Sequence, residues 1–368
     1  MASENPFTPS FGEIPLYMAG RQSVIDDVVR SFESARRRPE LTTLFSGARG
    51  TGKTTILSLL ANKAEERGWV TVGVTALPGM LDEIETETRR NASHLIEGES
   101  SLRLTGMEVA HVGSLSFEGK PQRTTWRSRM NAILDELDEH ETGLLITVDE
   151  VNPSNDEMIQ LATTYQHFVR EGRRVSLLMA GLPHNISSLL NDKTASFLRR
   201  AQSVQLGRIP DYEVEEALLK TIRSGGRSAD QKGVDYAVRI IGGFPFMLQL
   251  VGYRAWNVNE NSPVITFDDF EHGAAIARKE MQERILESTY RELSNGDVAF
   301  LAAMLEDPDE SSVAELAHRL GKSSSSASQQ RRRLLDAGII GERRRGIVAF
   351  EMPFFREFLQ ERVEAQRL

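Results

Sequence analysis

Ten residues, SGARGTGKTT at 46–55, limit what this chain can fold into more than any other stretch. They carry the spacing G-x-x-x-x-G-K-[ST] as Gly47, Gly52, Lys53 and Thr54, and the flanks agree with it. Upstream, LTTLFSG (41–47) is a short apolar run bounded by Gly, which reads as a strand; downstream, KTTILSLLANKAEERG places Ile56, Leu59 and Leu60 at i, i+3 and i+4 before Gly68, which reads as a helix. Gly47, Gly50 and Gly52 allow the backbone to aim N–H groups at an anion on the helix N-terminus, where the peptide dipole adds to their pull. The run Gly47, Ala48, Arg49, Gly50, Thr51, Gly52, Lys53, Thr54 and Thr55 is thus a candidate cradle for a triphosphate. Lys53 would reach the β- and γ-phosphates and the Thr54 hydroxyl would face Mg²⁺. The competing explanation is a glycine-rich turn beside an exposed lysine.

Such a site needs a carboxylate for the metal and a polariser for the attacking water. GLLITVDEVN (143–152) supplies both, because an uninterrupted apolar strand of the kind buried in parallel sheets ends in Asp149 and Glu150. Asp149 is assigned to the magnesium shell and Glu150 to the water, as general base or orienter. An acidic turn after a core strand is the alternative. Three more strands are predicted at 69–77, 175–183 and 202–207, with helices around 126–140 and 155–171. Alternating strand and helix implies an α/β domain with a mostly parallel sheet. Between 78 and 125 the pattern loosens, and MEVAHVGSLSFEG resembles an inserted hairpin of no legible purpose.

Composition narrows the class. A length of 368 residues suits two or three domains. The apolar run from Ile240 is shorter than the ~20 residues of a membrane span, and the N-terminus has neither the basic start nor the apolar core of a secretory signal. Absence of cysteine excludes disulfides and thiolate metal sites and fits a reducing cytoplasm. The seven His form no H-E-x-x-H motif, so a zinc hydrolase has no support. A net charge of −9 argues against a protein that coats nucleic acid with its whole surface.

The order of Gly20-Arg21, GARGTGKT, LLITVDEV, a later strand and SFLRR is similar to AAA+ ATPases. Within them it resembles the branch of origin-recognition and Cdc6-type initiators and the neighbouring STAND ATPases. The resemblance implies ATP as ligand and an N-terminal segment against the adenine, with Tyr17, Met18, Gly20 and Arg21 near the base; an ordinary helix entry with a solvated Arg21 is equally compatible. Arg199 and Arg200 stand where family members carry an arginine that reaches a neighbouring subunit's γ-phosphate, which implies a homo-oligomer, or they are solvated charges at a helix end. One departure stands out: LLMAGLP (177–183) lacks the polar residue that AAA+ enzymes place there to sense the γ-phosphate, so hydrolysis is expected to be slow or triggered.

Past Pro210 the strands stop. DYEVEEALLKTIRSGG, GVDYAVRIIGG and FPFMLQLVGYRAW read as three helices, the first capped by Asp211. GGFP (242–245) resembles the Gly-x-Pro element of STAND lids, which implies Pro245 against the nucleotide; proline is also simply favoured at a first helical position. The last unit, 296–368, reads as three helices and a hairpin and resembles a winged helix-turn-helix. SSSS (323–326) reads as the cap and first turn of its third helix. On that helix Ala327 and Leu334 face inward, leaving Ser325, Gln329, Arg332 and Arg333 on an exposed stripe. Between 319 and 345, eight basic side chains stand against Asp336 and Glu342, with Arg343, Arg344 and Arg345 at the wing. That placement suits the phosphates of double-stranded DNA. Winged helices also dock proteins.

The expectation is therefore an α/β nucleotide domain (1–209), a helical lid (210–295) and a winged helix (296–368). ATP hydrolysis would be coupled to DNA binding, the alternative being a non-catalytic nucleotide switch holding a protein partner.

Overall fold

The computed structural model describes residues 4–10, 12–95 and 125–367; the hairpin expected at 107–119 lies outside them. Five strands, β1 (Thr42–Gly47), β2 (Val70–Thr75), β3 (Leu144–Asp149), β4 (Val175–Gly181) and β5 (Gln202–Leu206), form one sheet in the order β2-β3-β4-β1-β5. Every pairing in it is parallel. All five coincide with predicted strands, and the helices Trp126–Glu139 and Asp156–Arg170 fall where they were expected.

The two-residue period of a strand sorts the core onto two faces. Leu44, Ile146 and Leu177 join the helices Met80–Asn91, Trp126–Glu139 and Asp156–Arg170 on one side. Phe45, Leu145 and Leu178 meet Ile56 and Leu60 of the helix Lys53–Glu65 and Val28 of the helix Gln22–Phe32 on the other. Burial on both faces explains why β3 and β4 are mostly apolar instead of alternating, with Thr147 and Ser176 as buried exceptions.

Beyond the sheet come the helices Asp211–Ser224, Gln231–Ile241, Pro245–Val258 and Phe267–Met281, the last continuing through a π-helical turn (Gln282–Leu286) into Glu287–Arg291, so that more helix follows than the three segments predicted. Short strands β6 (Ser228–Ala229) and β7 (Val264–Ile265) pair between them. TFDDF (266–270) serves the fourth helix as its start, for Thr266 and Asp269 form a reciprocal capping box. Asp211 does not cap the first helix. Pro210 occupies the cap, and Asp211 lies inside the first turn, where its charge still complements the dipole.

The remaining residues form the helices Asn295–Met304, Val313–Arg319, Ser324–Asp336 and Phe355–Arg367 with strands β8 (Glu310–Ser312), β9 (Ile340–Arg344) and β10 (Ile347–Phe350), an antiparallel sheet ordered β8-β10-β9. The Ser323 hydroxyl accepts from the Ser326 N–H, so this serine run does begin its helix. One continuous apolar cluster runs from Val214 through Trp256 and Phe270 to Leu334 and Phe358, so the helical unit and the C-terminal unit share a core. No described helix is long and apolar enough to cross a membrane.

Candidate nucleotide site

β1 and β3 are separated in the sheet by β4, and the segments leaving the C-terminal ends of β1 and β3 meet in front of it. Gly52 adopts φ +86°, a left-handed conformation that only glycine takes cheaply, and this turns the chain into the helix Lys53–Glu65. Lys53 is buried, with Nζ donating to the carbonyls of Gly47 (3.1 Å) and Ala48 (2.9 Å). Burial lowers its pKa, opposed by the nearby Glu150 and Asp149 and assisted by Arg49. The Thr54 hydroxyl donates to Asp149 Oδ2 at 2.5 Å, and Asp149 Oδ1 accepts the Glu150 N–H at 2.8 Å. The first intrahelical bond runs from Ile56 N to Gly52 O, so by helix geometry the amides of Lys53, Thr54 and Thr55 have no intrahelical acceptor and are available to an anion.

Lys53, Thr54 and Thr55 border a cavity of about 460 Å³, a size that accommodates a nucleotide, while Gly47, Ala48 and Asp149 lie behind its wall. Arg49 to Thr55 and Glu150 line one end. Glu150 itself has φ +52°, an unfavourable backbone for a residue with a side chain, and such strain is concentrated at functional positions. A hydroxyl and a carboxylate in contact form an oxygen donor set suited to a hard cation that keeps most of its waters, so Thr54 and Asp149 fit Mg²⁺.

Of the predicted base-side residues, Tyr17, Met18 and Arg21 line the cavity, and Gly20 instead packs against Ile209 and Glu213. Arg21 is buried, its guanidinium donating to the carbonyls of Gly207 (2.5 Å) and Gly20 (3.1 Å); burial lowers its pKa, with Glu213 acting the other way. Pro245 also lines the cavity, its ring 3.9 Å from where a Gly52 Cβ would lie. It is delivered there by Gly243, whose φ of +78° and closeness to Ile209 O, 2.5 Å from a hypothetical Cβ, admit glycine alone. Arg199 and Arg200 are exposed on a short 3₁₀ turn (Ser196–Arg200), and neither lines the cavity of its own chain; Arg199 Nε donates to Leu190 O.

Several cavity residues carry no signal in the sequence. The N-terminal segment lies along the helix Pro245–Val258: Asn5 Nδ2 donates to Tyr253 O and Asn257 Oδ1, Phe7 packs on Gly252, and Thr8 N donates to Gln249 Oε1. Thr8 and Gln249 both line the cavity, and so do Met352 and Pro353 from the C-terminal unit. That unit touches the α/β domain elsewhere too. His184 Nε2 lies 3.1 Å from Asp336 Oδ1, and a Cβ on Gly338 would come within 3.0 Å of Leu182, the residue after β4, and 3.7 Å of Arg49.

The predicted DNA-facing residues Ser325, Gln329, Arg332, Arg333, Arg343, Arg344 and Arg345 are all exposed. Several of the arginines are nonetheless engaged. Arg333 pairs with Asp297, Arg343 with Glu351, Arg344 with Glu310 and Arg331 with Glu342. Three of these carboxylates lie outside the 319–345 window, so counting charge within it overstates the patch. Arg332 and Arg345 have no ion pair among the described residues.

Residues 283–359 match a family described as "Domain of unknown function (DUF8462)". No curated protein matches the sequence. The structure is similar over 98% of both chains to the ORC2 protein of Aeropyrum pernix in ADPNP–ADP complexes, at 13% identity and a TM-score of 0.63. The ADP form of that protein gives 0.59 over 97% of each chain, also at 13% identity. Cdc6p from Pyrobaculum aerophilum gives 0.50 at 13% identity, again over 97% of each. At such identity the likeness is one of fold: this chain has the P-loop NTPase fold of the Orc/Cdc6 structures.

Proposed function

We propose that the chain binds ATP with Mg²⁺ in this cavity, hydrolyses it, and couples its nucleotide state to double-stranded DNA through the C-terminal unit, read as a winged helix. The observation that carries the reading is the contact between Thr54 and Asp149 beside a buried Lys53, which unites the two predicted motifs at one end of a nucleotide-sized cavity. In this account the loop amides and Lys53 bind the β- and γ-phosphates, Pro245, Tyr17 and Met18 flank the rest of the nucleotide, and Glu150 takes the proton of the attacking water. Mg²⁺, held by Thr54 and Asp149, would neutralise charge on the phosphates. Arg199 or Arg200 would act on a neighbouring copy in a homo-oligomer, since both are exposed and away from their own cavity.

Coupling has a direct route: Met352 and Pro353 line the cavity, and Asp336 and Gly338 lie against His184 and Leu182 beside β4. A nucleotide-driven change in the lid angle would therefore move the winged helix. The same docking supports a second reading, a STAND-like switch without turnover whose winged helix holds a protein partner. The apolar end of β4 and the ion pairs on four of its arginines favour that reading. A cytoplasmic setting is in keeping with both. Phosphate release and duplex binding measured on one sample separate them: turnover with salt-sensitive DNA binding supports the first, and nucleotide binding with neither supports the second.

A further inference from the structure

Outside the loop, the buried polar side chains on the cavity wall are Arg21 and Gln249. Arg21 is committed to two backbone carbonyls. Gln249 is half committed. Its Oε1 accepts the Thr8 N–H at 3.0 Å. A backbone N–H can only donate, so that bond fixes which end of the carboxamide is oxygen, and the NH₂ is left as a pure donor. Among the described residues this nitrogen has no hydrogen-bond partner, so on the wall of the cavity it is free to donate to an acceptor that a ligand supplies.

Its position along the helix says which part of a ligand it would meet. Pro245 begins the helix Pro245–Val258 beside Gly52 of the phosphate loop. Gln249 is one turn further along the same face, a rise of about 6 Å away from the phosphates. Around it the cavity is apolar, walled by Met18, Met247, Met281 and Met352. A flat heteroaromatic ring suits such a wall, and an NH₂ oriented by its own oxygen's bond suits a ring nitrogen.

We propose that Gln249, oriented by the Thr8 amide, is a base-reading residue that donates to N1 of adenine and so selects ATP over GTP. At that edge adenine offers an acceptor, whereas guanine N1 carries a hydrogen and would confront donor with donor. A buried site with a fixed donor discriminates strongly because the wrong base leaves two groups unpaired. The assignment rests on the nucleotide reading above and adds the residue that chooses the base.

The test is competition binding of ATP, GTP and inorganic tripolyphosphate to the full chain and to two variants. The parent protein is expected to favour ATP over GTP by tenfold or more. Gln249→Met keeps the volume and removes the donor, so ATP affinity falls about tenfold, the loss of one hydrogen bond, and GTP changes little. Gln249→Glu keeps an oxygen for the Thr8 N–H but puts a second oxygen where the NH₂ stood, so the preference falls at least as far. Tripolyphosphate binding stays unchanged in both, which shows that the loop and the fold persist. A parent that binds tripolyphosphate and ATP, with an ATP:GTP ratio that neither variant changes, overturns the inference alone. A parent that binds neither overturns the nucleotide reading and the inference together.

Discussion

Thr54 and Asp149 are 95 positions apart in the chain and joined by a 2.5 Å hydrogen bond, the one from the first turn of the helix after β1 and the other from the end of β3. Thr54→Ala or Asp149→Asn should leave the fold intact, since neither side chain supports the apolar core, and should abolish the dependence of ATP affinity on Mg²⁺. Titration of ATP with and without EDTA reads this: two curves that stay well apart in Asp149→Asn would remove Asp149 from the metal shell.

Glu150 is held with positive φ at the cavity's phosphate end. Glu150→Gln keeps size and backbone while removing the base, so phosphate release should drop by about 10²-fold or more with ATP binding retained. Glu150→Gly should be equally inactive yet more stable by about 1 kcal/mol, because glycine relieves the left-handed strain. Malachite-green assays and thermal melts check the two halves separately, and a Glu150→Gln protein that turns over at the parental rate would return the role to another residue.

Much of the fold is legible in the sequence, and the reasons are local. The phosphate loop and the acidic strand end are contiguous motifs with fixed spacing, and β3 and β4 are largely apolar runs that have few other ways to be buried. What escaped reading depends on long-range pairing. Thr8 and Gln249 are 241 positions apart, and no periodicity links them. The arginine patch looked stronger than it is because Asp297, Glu310 and Glu351 reach it from outside the window. Asp211 failed as a cap because Pro210 already supplies the extended residue at that position.

Those ion pairs redistribute the expected DNA contacts. Arg332→Ala and Arg345→Ala should each weaken duplex binding and lower the slope of log affinity against log salt by about 1, since each removes a free cation. Arg344→Ala should do less, for Glu310 already neutralises it. Fluorescence anisotropy at several salt concentrations measures the slopes; identical slopes in all three variants would remove the wing and its helix from the interface.

Asp297 couples this face to stability. Burial pushes its carboxyl up, but hydrogen bonds from Arg333 and Ser294 outweigh that and hold its pKa below the usual carboxylate range. Stabilisation from Asp297 is then present at neutral pH and is lost as pH falls below its unfolded value of about 3.9 toward the lower folded one. Asp297→Ala should cost about 1–2 kcal/mol at pH 7, mainly through the lost capping box because Arg333 is half exposed. Melting curves of parent and variant should draw together as the pH falls below about 3.9, and a gap that widens in acid would contradict the assignment.

On the function proposed above, the amides around Lys53 and the carboxylates at 149 and 150 enclose a triphosphate with its metal. Isothermal calorimetry of Mg-ATP into the parent protein and Lys53→Ala tests it most directly. Saturable heat with a 1:1 endpoint in the parent, lost in Lys53→Ala, is the predicted result; no heat in a folded parent, or the same isotherm in both proteins, would contradict it.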